Sequence, residues 1–209
     1  MANDKSASAG RLVVLGGTFD PVHHGHLIVA RSVAEQIGES VTLMPARCPP
    51  HKPPPVAPAE HRLEMLRASV LNEPQLIVSE AELKRQAPCY TIDTVTALGD
   101  KRDISWIIGA DMLVDLPRWH RAAELAGMVE FIVAAREPWH EELDQTVEAV
   151  RSKLGPRLRV RIATTPRIDI ASSDIRSRAG RGLSIRYLVP EAVESYIREH
   201  RLYTGAEAT

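Results

Sequence analysis

The sequence predicts an α/β domain built on a doubly wound, mainly parallel sheet. Short apolar runs recur along the chain without polar alternation, as strands covered on both faces do. Segments of helical periodicity separate them, so successive strands need right-handed crossovers. A third observation is the stretch GGTFDPVHHGHL (16–27), rich in glycine and histidine, which follows the first apolar run directly. In such a sheet, ligands sit beyond the carboxyl ends of the strands, where the strand order reverses.

The elements follow in order. RLVVL (11–15) reads as a buried strand delivering the chain into the opening stretch. HLIVARSVAEQIG places Leu27, Ala30, Ala34 and Ile37 on one helical face, with Gly38 as its stop. SVTLM (40–44) is the next strand, and HRLEMLRASVL the next helix. QLIVS reads as extended, TIDTVTAL as helical, ISWIIG and EFIVAA as extended. ELDQTVEAVRSKL is helical, RLRVRIA extended and EAVESYIREH helical. Between the second strand and second helix lies PARCPPHKPPPVAP (45–58), whose prolines deny both ladder bonds and helix continuation. So long a loop inside a domain points to function, and its prolines lower the entropy of ordering it.

With 209 residues the chain can form one domain with ample core. We expect that domain at 11–203, with tails at 1–10 and 204–209. A net charge of −1 and a pI near 6.7 supply no global field toward nucleic acid or an anionic membrane, so any anion site is local. Two cysteines, Cys48 and Cys89, make no disulfide framework. With neither a signal-peptide pattern nor a long apolar stretch, the expectation is a cytoplasmic protein.

Gly16 and Gly17 allow either a close phosphate or a positive φ. Neither G-x-G-x-x-G nor a P-loop occurs. His23 and His26, three apart at the start of a helix, share one face beside free N–H groups and the positive end of the dipole. There they can stabilise charge developing on a phosphoryl group. Zinc is the competing use of His23, His24 and His26, but no Cys, Asp or Glu nearby completes a ligand set. His24 falls at the variable position between the paired histidines. Trp106 belongs to a buried strand and reads as core, whereas Trp119 lies in a polar, proline-bounded loop where a large ring wants a partner. Thr91 reads as a helix N-cap, and Ser172 or Ser173 as the cap of the helix containing Ile175.

The string G-G-T-F-D-P-x-H-x-G-H after a strand resembles the signature of the nucleotidyltransferase superfamily, and within it the chain resembles the bacterial nicotinate-nucleotide adenylyltransferases from about residue 12 to 203. The resemblance implies a Rossmann-like nucleotidyltransferase fold and adenylyl transfer from ATP to nicotinate mononucleotide. His23, His26, Lys52 and Arg176 would then carry catalysis. Gly16, Gly17, Thr18, Phe19, Asp20, Gly109, Asp111, Ser172 and Ser173 would surround ATP. PPHK (49–52) matches the loop over the active site, bringing His51 and Lys52 to phosphates. CYTIDT (89–94) is similar to Y-T-x-x-T, which places Thr91 near the nicotinate carboxylate. Trp119 of LPRWH matches the aromatic that stacks on the pyridine ring, and Arg136 aligns loosely with an arginine after the fifth strand. IDIASSDIRSR departs from the family's I-S-S-T-x-I-R, with Ala171 and Ser173 where serine and threonine are common. Mg²⁺ is expected to arrive on the ATP phosphates, with no dedicated protein ligands. The implied partners are these two nucleotides, without nucleic acid or membrane and with room for a homo-oligomer. A phosphopantetheine adenylyltransferase shares the opening motif but does not account for PPHK, Y-T-x-x-T and the tryptophan loop together; a nucleotide-binding regulator without turnover is the competing reading from another class.

Overall fold

The apolar run after the N-terminal segment becomes β1 (Leu12–Gly17), and GHLIVARSVAEQI lies in α1 (His24–Ile37), closed by Gly38 in the left-handed region at φ 76°. That positive φ is why the helix stops on glycine. The computed structural model describes residues 11–48, 53–85, 89–99, 103–135 and 140–204. His51, Lys52 and Arg136 lie outside the described residues, as do 1–10 and 205–209 of the expected tails.

Next come β2 (Val41–Pro45), α2 (Ala59–Ser69), β3 (Leu76–Val78), α3 (Thr91–Leu98) and β4 (Ile104–Gly109). The second half holds α4 (Ala110–Asp115), a 3-10 turn (Leu116–Arg118), α5 (Ala122–Met128), β5 (Val129–Ala135) and α6 (His140–Leu154). It ends with β6 (Arg159–Thr164), α7 (Ser172–Gly180) and α8 (Glu191–Glu199). The strands pair in the order β3-β2-β1-β4-β5-β6, each parallel to its neighbours. The order reverses between β1 and β4, so the carboxyl ends of these strands, Gly17 and Gly109, flank the crevice where such sheets bind ligands.

Alternate strand residues feed opposite faces. Val13, Ile107 and Ile132 pack with α1, α2, α7 and α8 through Ala30, Val33, Met65, Ile175 and Ile197. Val14, Ile108 and Val133 pack on the other face against Ile92, Leu113, Leu125 and Val147 of α3 to α6. The expected doubly wound architecture is therefore present, with every pairing parallel. The two short helices α4 and α5 and the turn between them escape the sequence reading, because Pro117 interrupts them and neither is long enough to display a helical period.

Trp106 is core, 4% exposed, and it explains Gly16. A Cβ at that position would lie 2.8 Å from Cζ2 of the indole. Neither Gly16 nor Gly17 has a positive φ, which corrects one of the two reasons offered for them; a Cβ at Gly17 would meet the Phe19 ring at 3.0 Å. Aromatic packing under the turn requires the glycines here. Gly16→Ala is expected to destabilise the fold by about 1–3 kcal/mol, the scale of overpacking a filled core. Urea unfolding checks this, with a lower midpoint and an unchanged m value expected.

Candidate active site at the carboxyl edge of the sheet

From Gly17 the chain turns through Thr18, Phe19 in the left-handed region at φ 49° and a cis Asp20–Pro21 peptide before α1 begins. His23 is the N-cap, with extended backbone at φ −146° and ψ 168°. Its ring folds over Gly25, where a Cβ would stand 3.0 Å from Nδ1 and Cε1. The glycine of H-x-G-H is thus the space in which the first imidazole lies. The His23 N–H donates to Nδ1 of His26 at 3.3 Å. With Nδ1 accepting, neutral His26 carries its proton on Nε2. The two rings stack with centroids 3.7 Å apart and planes at 24°, and Phe19 meets His26 edge-on at 4.9 Å.

His23 is only 6% exposed. Burial first, and the charge of His24 second, lower its pKa to about 4, so the imidazole is neutral at pH 7. Its Nδ1 is buried without a hydrogen-bond partner among the described residues. His24 instead uses its backbone, donating to the carbonyl of Leu188 at 3.0 Å.

Asp20, expected beside ATP, turns its carboxylate inward and is 3% exposed. Oδ2 accepts the N–H of Val56 at 2.8 Å, and Oδ1 accepts the N–H of Ala57 at 3.1 Å and the hydroxyl of Tyr203 at 2.8 Å. Its side chain is hydrogen-bonded to the foot of the proline-rich loop and to the C-terminal segment. Arg176 donates through Nη1 to the backbone oxygen of Asp20 at 2.8 Å and stands 3.9 Å from Oδ2.

Ser172 donates to the carbonyl of Pro21 at 2.9 Å. Two side chains of α7 therefore clasp consecutive carbonyls of the opening stretch. Neither Ser172 nor Ser173 caps this helix, contrary to expectation: Ala171 holds the N-cap position at φ −117° and ψ 139°, and it has no oxygen to offer. Ser172 falls one residue late and Ser173 is exposed.

Arg62 is the residue that the sequence reading missed. It is 1% exposed, and its guanidinium donates to the carbonyls of Ala57, Thr18, Ala46 and Arg47 at 3.2, 2.7, 2.7 and 3.2 Å. Burial lowers its pKa and the nearby Asp20 opposes that. The available signal was its spacing, since Arg62 shares the helical face of Met65 and Leu66 in an otherwise apolar stripe. Tyr203 left no comparable signal.

On the opposite wall, Gly109 ends β4 and serves as N-cap of α4. The Asp111 carboxylate folds back so closely that a Cβ on Gly109 would collide with Oδ1. Thr91 is the first residue of α3 and Tyr90 its N-cap, which corrects the threonine cap. Tyr90 and His120 have ring centroids 4.3 Å apart, so the Y-T-x-x-T stretch and the tryptophan loop are adjacent. Trp119 itself is half-buried, edge-on to Phe131 at 6.4 Å. Beneath α3, Thr94 donates to the buried Glu82 carboxylate at 2.5 Å, and burial raises the pKa of that acid.

Among the described residues no group of three His, Cys, Asp or Glu side chains could hold a metal ion, and no helix is long and apolar enough to cross a membrane. This fold and motif define a protein of the nucleotidyltransferase kind: the Cytidylyltransferase-like family model matches residues 14–178. A curated relative of Symbiobacterium thermophilum, named "Probable nicotinate-nucleotide adenylyltransferase", is 42% identical over 205 residues, covering 95% of this chain and 97% of the relative. One from Yersinia enterocolitica is 37% identical over 218 residues, covering 97% and 99%. The chain belongs to the nicotinate-nucleotide adenylyltransferase family. In fold it is similar to the solved nicotinic acid mononucleotide adenylyltransferase of Plasmodium falciparum complexed with NaAD, with a TM-score of 0.74 at 18% identity over 93% of this chain and 97% of that one.

The neutral state of His23 has a measurable consequence. Between pH 6.5 and about 4 the unfolded chain binds a proton that the folded chain refuses, so stability falls as pH drops through that window. The loss attributable to this group is about 3 kcal/mol across the window. Unfolding free energies measured from pH 7 to pH 4 are expected to fall less steeply in His23→Gln than in the parent.

Proposed function

We propose that the protein transfers the adenylyl group of ATP to nicotinate mononucleotide, forming nicotinate adenine dinucleotide and pyrophosphate in NAD biosynthesis. The observation that carries this reading is the stacked His23–His26 pair, with His23 buried and His26 half-buried, at the start of α1, at the point where the strand order reverses. A phosphate oxygen of the mononucleotide attacks the α-phosphorus of ATP in line. The bond from that phosphorus to the bridging oxygen of the β-phosphate breaks, and pyrophosphate leaves with the electron pair. Both partners are already reactive phosphates, so no covalent enzyme intermediate is needed.

The chain's contribution is positioning and charge. Nε2–H of His26 and the His23 imidazole face the developing negative charge, with the α1 N-terminus beside them. Arg176 approaches from α7, and Lys52 and His51 would bring further cationic or donor groups from the proline-rich loop. Gly16, Gly17, Thr18, Phe19, Gly109, Asp111, Ser172 and Ser173 form the surround we assign to ATP. Asp20 serves that surround through its backbone and buried carboxylate. Mg²⁺ enters as part of the ATP substrate. Thr91, Trp119 and Arg136 are assigned to the pyridine nucleotide, with backbone donors near Thr91 selecting a carboxylate over an amide. An amide NH₂ facing donors would be disfavoured by about 1–3 kcal/mol. The reading further includes a cytoplasmic setting and leaves room for a homo-oligomer.

The purified protein with ATP and Mg²⁺ is expected to release pyrophosphate fastest with nicotinate mononucleotide, more slowly with nicotinamide mononucleotide and not with phosphopantetheine. Turnover with phosphopantetheine alone would overturn the acceptor. ATP binding with no pyrophosphate from any acceptor would favour a regulator. His23→Ala is expected to lower kcat by about 10²-fold with little change in ATP affinity, the scale of one lost transition-state donor. A near-normal kcat would remove His23 from the chemistry.

A further inference from the structure

The C-terminal segment is built to deliver one hydroxyl. After α8 the chain doubles back through Arg201 at φ 51° and Tyr203 at φ 63°, two non-glycine residues in the left-handed region. The Leu202 N–H returns to the carbonyl of Ile197 at 3.0 Å. Such backbone strain persists only where the surroundings impose it. Here it turns Tyr203, 5% exposed, into the core and sets its hydroxyl 2.8 Å from Oδ1 of Asp20. Burial and the Asp20 charge push the phenol far above its ordinary pKa, so it is a permanent donor.

Asp20 divides its carboxylate among three neutral donors while the Arg176 guanidinium stands 3.9 Å from Oδ2. That gap matters. A carboxylate satisfied by neutral donors leaves the arginine bonded to a backbone oxygen, and its charge is not spent in a close ion pair. Remove the phenol and Oδ1 retains only the Ala57 N–H. The Arg176 guanidinium already stands 3.9 Å from Oδ2, and closing that pair would draw it inward.

We propose that Tyr203 is a positioning residue: by satisfying Asp20, its hydroxyl keeps Arg176 available to the triphosphate and holds the foot of the proline-rich loop at Val56 and Ala57. This rests on the assignment of Arg176 to phosphate binding, and it goes beyond that assignment in making the far end of the chain set the ATP affinity.

The test compares Tyr203→Phe, which keeps the ring in the core, with Tyr196→Phe. The latter also removes a tyrosine hydroxyl bond, to Nδ1 of His61 at 3.0 Å, but one that joins α8 to α2 and does not involve Asp20. Titration with a non-hydrolysable ATP analogue needs no turnover, so it is independent of the acceptor. Tyr203→Phe is expected to weaken the analogue about tenfold, the scale of one charge-assisted hydrogen bond, with KM for nicotinate mononucleotide within about twofold of the parent. Tyr196→Phe is expected to leave both unchanged. In an Arg176→Ala background, Tyr203→Phe is expected to change analogue affinity by less than about twofold, since the two act through one contact. Equal weakening in both backgrounds would overturn the proposal, as would unchanged affinity in Tyr203→Phe or a parallel rise in KM for both substrates. Analogue binding by Arg176→Ala as tight as the parent's would mark a failure of the phosphate assignment, whereas weakened binding by Arg176→Ala beside unchanged binding by Tyr203→Phe would overturn the positioning role alone; a parent that does not bind the analogue sinks both.

Discussion

Arg62 and Asp20, two opposite charges taken out of water at the carboxyl edge of the sheet, determine where everything else in the site can stand. Each would be costly to bury alone, and removing a partner from such a group leaves an uncompensated charge or polar atom. The compensation comes from the loop they hold. Arg62 spends its fork on the carbonyls of Thr18, Ala46, Arg47 and Ala57, so it gathers the opening turn and both ends of the proline-rich segment. Asp20 takes the complementary N–H groups of Val56 and Ala57. A loop whose two feet are hydrogen-bonded in this way has little freedom at its base. The geometry suits Arg and not Lys, because four carbonyls in different directions require a planar fork with several donors.

The same pair explains how α7 is tied to the start of the chain. Arg176 and Ser172 reach the carbonyls of Asp20 and Pro21, so the stretch IDIASSDIRSR docks on the backbone of GGTFDPVHHGHL. Ala171 leaves the N-terminus of α7 without a side-chain cap, and the helix is held by these docking contacts instead. Fixing the Asp20–Pro21 turn therefore fixes Arg176, and the position of one strand end propagates to a segment more than 150 residues away.

Much of this was legible in the sequence. Strand runs and helix periods place the sheet, because covered parallel strands are written in continuous apolar residues such as LVVL and ISWII. The position of GGTFDPVHHGHL at the end of β1 follows from the same order. The reasons for individual residues were less legible. Gly16 and Gly17 answer to the rings of Trp106 and Phe19, which lie across the sheet or two residues on, and a glycine alone does not say which neighbour crowds it. Caps were misplaced by one residue at Thr91 and Ser172, since Tyr90 and Ala171 hold the extended backbone. Arg62 shows only as a charge on an apolar face. The Tyr203–Asp20 bond joins residues 183 apart, and no local pattern predicts such a contact.

The choice of imidazole for the central pair has a physical logic that the packing makes visible. Two permanently charged side chains with centroids 3.7 Å apart would repel in a place that water scarcely reaches, and the fold would have to oppose that repulsion at all times. A neutral ring stacks without that cost, and the depressed pKa of His23 keeps that imidazole neutral at pH 7. On the adenylyl-transfer reading the balance changes at the transition state, because negative charge that accumulates there favours protonated imidazole and strengthens any N–H directed at it. Burial, which destabilises imidazolium in the empty protein, is the condition that makes its interaction with phosphate large.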